Sequence, residues 1–171
     1  MTPSVDVRIA SMVRTLGDII IPAIDPDNSL AREQAALLHG HLRMLVEQLP
    51  HVATYEQLCL DDMRVVAGEL SAAAAGGATT QNAAKQLAAA RADTEEQSDK
   101  RSAYNRIGFA LEELITAAGV DGDGDFRTVL GKAVIQHGLR QTRRERSWFA
   151  MTGLDIFKAD LPSIPDMVAG A

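Results

Sequence analysis

Residues 29–49, SLAREQAALLHGHLRMLVEQL, decide the fold class. Leu38, Leu42, Leu45 and Leu49 recur at spacings of four, three and four, so they share one stripe of a 3.6-residue helix, and Leu30, Leu37 and Val46 widen it. Asn28 or Ser29 stands where a cap accepts the free amides of the first turn, Glu33 adds negative charge near the positive end of the helix dipole, and Pro50 follows the last periodic residue. A helix with start, stripe and stop on the page implies an all-α protein in which this segment is the central helix.

Working outward, the preceding segment repeats the pattern. Val5, Ile9, Met12 or Val13, Leu16 and Ile20 lie at helical spacing, Ser4 stands at the cap position, and Pro22 is expected to end or kink the helix near Ile21. The loop IPAIDPDNS reverses the chain, which predicts an antiparallel pair. On the other side, Thr54 with Gln57 has the spacing of a capping box and Ala53 with Leu58 that of a hydrophobic staple. Cys59, Met63, Val66, Leu70 and Ala73 then predict a third helix over about residues 55–75, stopped by Gly76 and Gly77.

From Ser71 to Lys100 the only bulky hydrophobe is Leu87. A helix with so little to bury gains little from tertiary contacts, so residues 76–93 are expected to form a mobile, partly helical connection tolerant of insertion. Thr94 with Gln97 again matches a capping box, and Tyr104, Ile107, Leu111, Leu114 and Ala118 predict a further helix closed by Gly119. Asp125 caps a last long helix with Phe126, Val129 or Leu130, Ala133 or Val134 and His137 on one face, running to about residue 147. The expected architecture is one domain over residues 1–171, an up-down bundle of four to five main helices with a C-terminal arm over residues 148–171.

Composition agrees. Apolar residues make up 46% of 171 positions but aromatics only 4%, so the core is built from Leu, Ile, Val, Ala and Met, a mix that suits helices better than a β-sandwich. A net charge of −6 argues against general nucleic-acid binding, since a phosphate backbone rewards a basic surface. One cysteine excludes an intrachain disulfide, no apolar run approaches the roughly 20 residues that span a bilayer, and no signal-peptide pattern is found. The expectation is a cytoplasmic protein with no membrane contact.

Motifs for chemistry are sparse. Asp121, Asp123 and Asp125 imitate the opening of a calcium loop, but Phe126 stands where the invariant glycine belongs and Lys132 where a bidentate glutamate belongs, so a solvated turn is the better account and no metal is assigned. Neither GxSxG, a P-loop nor a dinucleotide fingerprint is present, and Cys59 on an apolar stripe, without flanking bases, reads as a small hydrophobe. No catalytic residue or cofactor is assigned. His41 and His137 both fall on apolar stripes, and with Asp62 and Glu69 they are the candidates for a ligand-binding pocket in the core; the alternative for each histidine is a buried ring bonded to a carboxylate. Arg140, Arg143, Arg144 and Arg146 are candidates for anion binding, although a solvated basic end that complements the helix dipole is the simpler account.

The tail gathers Trp148, Phe149, Leu154 and Phe157. Such a concentration needs a surface to cover, either its own bundle or a second subunit. Together these features favour a non-catalytic interaction or structural protein, expected as a homodimer, with Trp148, Phe149, Leu154 and Phe157 at the interface; the alternative is a small-molecule or metal-binding bundle, an enzyme in one version, with a polar pocket around His41 and His137.

Overall fold

The computed structural model describes residues 2–94, 97–153 and 155–170. The protein is all-α, with no strand among the described residues. Helix α1 (Val5–Thr15) continues through a wider π-type turn, Leu16–Ile20, and a last turn, Ile21–Ala23; α2 is Ser29–Gln48; α3 is Val52–Ala73; α4 is Ala78–Ala92; α5 is Lys100–Asp121; α6 is Gly124–Trp148; α7 is Ile164–Ala169. Where the sequence suggests a single domain, the chain divides into two compact units, residues 1–53 with 143–171, and residues 54–142, the division falling inside α3 and α6.

In the first unit α1 packs along α2. Helical backbone passes through Pro22 rather than stopping at Ile21, because the widened turn ahead of it removes the clash a proline ring makes with the carbonyl four residues back. Asn28 is the cap of α2, its side chain accepting from the Ala31 amide at 3.1 Å. The leucine stripe divides: Leu42 and Leu49 are half-buried, but Leu38 and Leu45 face solvent. The tail returns to its own unit. Trp148 is buried, its carbonyl accepts from the buried Gln48 Nε2 at 2.8 Å, and Ile164 of α7 is buried as well. Asp155 clamps Arg146 (Nε 2.7 Å, Nη2 3.2 Å), and that guanidinium, followed by the Phe157 amide, holds the Asp155 carboxyl below the ordinary carboxylate range.

The second unit holds a continuous core. Leu60, Met63, Val66 and Leu70 come from α3, Ala83, Ala84 and Leu87 from α4, Ile107, Leu111 and Leu114 from α5, and Phe126 and Leu130 from α6. Residues 78–92, expected as a loosely held connection, are instead the packed helix α4, with Leu87 and Thr80 fully enclosed. Its alanines let the helix axis approach α5 closely, so a nearly Leu-free helix still fills its share of the core.

Helix ends also differ from the sequence expectation. α3 starts at Val52, which places Thr54 inside the helix rather than at its cap. α5 is capped by Asp99, which accepts from the Ser102 amide at 3.1 Å, and not by Thr94. Thr94 is buried: its hydroxyl donates to the Arg91 carbonyl at 2.7 Å, and Arg64 donates to its carbonyl. Gly119 lies within α5, whose C-cap is Gly122.

The two sharp turns of this unit are tied together. The Gly77 amide donates to the Asp121 carbonyl at 2.8 Å and the Asp123 amide to the Ala75 carbonyl at 3.0 Å. The Asp121 carboxylate then caps α4, accepting from the amides of Thr79 and Thr80 at 2.9 Å each and from the Thr80 hydroxyl at 2.6 Å. First the Thr80 hydroxyl, then these amides, hold the carboxyl at about 2, below its ordinary 3.8. A depressed folded-state value means the stabilisation is fully present above pH 3.8 and is lost as pH falls from there through about 2. Asp121→Asn should therefore flatten the acid limb of a melting-temperature profile between those values, and an unchanged limb would refute this role.

Candidate functional site

The sequence candidates separate in the fold. Asp62 of α3 and His137 of α6 meet: His137 Nδ1 lies 3.0 Å from Asp62 Oδ2, with the imidazole buried. Arg140, one helical turn further along α6, completes the cluster, donating to Asp62 Oδ1 from Nη2 at 2.9 Å and from Nε at 3.1 Å. His41 is exposed on α2 in the first unit, and Glu69 is exposed, two turns or about 10 Å beyond Asp62 along α3. Neither belongs to the His137 cluster. Reasoning from a stripe placed His41 inward, whereas α1 covers only the neighbouring part of that arc.

The four arginines do not converge on one point either. Arg140 serves Asp62 and Arg146 serves Asp155, while Arg143 is exposed and Arg144 half-buried. Of the tail residues, Trp148 is buried within its unit and Phe149 and Phe157 are exposed; Leu154 lies outside the described residues. Among the described residues, no three His, Cys, Asp or Glu side chains gather as a metal site, and no helix is long and apolar enough to cross a membrane.

Because a carboxylate only accepts, the His137–Asp62 contact puts a ring proton on Nδ1. His137 makes no other hydrogen bond among the described residues. Buried side-chain atoms without a partner among the described residues are Gln97 Oε1 and Ser147 Oγ. His137 helps to line a cleft of about 570 Å³, together with Tyr104, Asn105, Phe109, Glu112 and Gln141. Gly108 of α5 and Gly138 of α6 also line it, and a Cβ added to either would meet nothing within 4 Å.

Sequence reasoning found Asp62 and His137 but missed the α5 wall. No sequence signal singled that wall out, since Gly119 and Gly131 are interior glycines of the same two helices as Gly108 and Gly138. A second cleft, about 670 Å³, lies in the first unit beside Arg43, Glu47 and Lys158.

The other exposed feature is apolar. On α2, Leu30 is 66% exposed, Leu37 and Leu38 are each 52% and Leu45 is 41%, while Ile19 and Ile20 are exposed in the wide turn after α1. Gln34, Leu38, His41 and Leu45 follow one another at spacings of four, three and four, a second stripe beside the one that α1 covers.

Comparison with known proteins returns no match: no family model, no curated protein and no solved structure corresponds to this chain.

Proposed function

We propose that this protein is a helical interaction protein whose partner is a second copy of itself, docked through the outer face of α2. The observation that carries this reading is the exposure of Leu30, Leu37, Leu38 and Leu45 on the helix with the clearest apolar period in the chain. The four leucines leave on the order of 400 Å² of apolar surface per copy, so that a pair would bury about 800 Å² through them, to which the polar groups around the stripe add. In an antiparallel pair with its two-fold axis at Leu38, that leucine meets its own copy. The aromatic tail, with Trp148 already covered in its own unit, takes no central part in this interface.

Sedimentation over a concentration series tests it. The expected result is a dimer that Leu38→Glu converts to monomer with unchanged helical circular dichroism, because a carboxylate at the axis is buried against its own copy without a partner. A wild-type chain that stays monomeric throughout, or a Leu38→Glu variant that still dimerises, overturns the reading.

A further inference from the structure

We propose that the cleft between α5 and α6 is a binding site for a small aryl amine, a ligand carrying one aromatic ring and a protonated amino group. This does not rest on self-association; every residue used belongs to the second unit. The charged side chain that lines the cleft is Glu112; no lysine or arginine lines it, and Tyr104, Asn105, Gln141 and Thr142 carry groups that both donate and accept. Arg140 is turned to Asp62, which fixes the dyad without placing a cation in the cleft. An anionic ligand would meet Glu112 with no counter-charge, whereas an ammonium finds one.

The rest of the wall selects a ring. Tyr104 and Phe109 line the same cavity, and Phe109 is 69% exposed, an apolar face with a quadrupole that attracts both aromatic edges and cations. A volume of about 570 Å³ leaves ample room for a single-ring ligand with its side chain.

Tyramine is the probe and 4-hydroxyphenylacetate, which replaces the amine with a carboxylate, is the control, both titrated into the full chain by calorimetry and by the imidazole nitrogen resonances. Saturable tyramine binding in the millimolar range or tighter, with His137 Nε2 shifting and the carboxylate at least about tenfold weaker, is the expected result. Gly138→Leu fills open space inside a helix, so it should fold and yet lose tyramine binding by about tenfold or more, and Glu112→Gln should reduce the preference for the amine. Absence of tyramine binding, equal binding of the two probes, or full affinity in Gly138→Leu overturns the proposal.

Discussion

Leu87→Ala is expected to destabilise the protein by about 2–5 kcal/mol, a large part of the 5–15 kcal/mol typical of a domain. Leu87 is 0% exposed, on a helix whose other buried residues are Thr80, Ala83 and Ala84, so it is the one large side chain that α4 contributes to the core. Truncation removes its transfer free energy and leaves a cavity that the surrounding alanines are too short to fill. Urea unfolding followed by circular dichroism measures the effect. Leu30→Ala, at a residue 66% exposed, should change the same transition by no more than about 0.5 kcal/mol at protein concentrations low enough to exclude self-association. Equal effects for the two leucines would mean that α4 is not packed as described, and would restore the expectation of a dispensable connection.

The second large effect is expected from Gly76→Ala. Gly76 has φ +140°, and an added Cβ would stand 2.5 Å from the Asp121 carbonyl oxygen and 2.7 Å from Gly122 Cα. The backbone conformation alone costs an L-residue about 1–3 kcal/mol. The clash adds to it, because the obstructing atoms are backbone and no rotamer change relieves them. A methyl group here also pushes apart the paired turns at Gly77–Asp121 and Ala75–Asp123, and with them the carboxylate that caps α4. The loss should reach about 3 kcal/mol or more in the same unfolding experiment. Gly119→Ala gives the opposite sign. Gly119 sits inside α5 with open space around it, and alanine there should add about 0.5–1 kcal/mol. Were Gly119 the helix terminator that its sequence position suggests, the substitution would instead destabilise.

Local signals carried the sequence reading furthest where several agreed. The start of α2 at Ser29, the buried positions Met63, Val66 and Leu70 of α3, and Ile107, Leu111 and Leu114 of α5 follow from period and capping chemistry. Boundaries chosen by a single motif moved: Thr54 and Thr94 both fit the spacing of a capping box, yet one lies inside a helix and the other is buried beneath Arg64. A serine or threonine three residues before a glutamine satisfies the pattern wherever it stands, and only the backbone geometry around it decides whether its hydroxyl meets an amide.

The sequence by itself determined that this is an all-α protein and where most of its helices lie. Tertiary structure alone decided which part of each apolar arc is covered. A period of 3.6 residues marks a helix face but not its neighbour, so Leu42 and Leu38 look alike in the sequence while α1 half-buries one and leaves the other to solvent. It also decided that alanine-rich residues 78–92 are core, since small side chains are stabilised by how closely a partner helix approaches rather than by their own apolar area. The Asp62–His137–Arg140 cluster spans 78 positions of chain. Its members are adjacent only because α3 and α6 contribute to one core, a relation that no local spacing records.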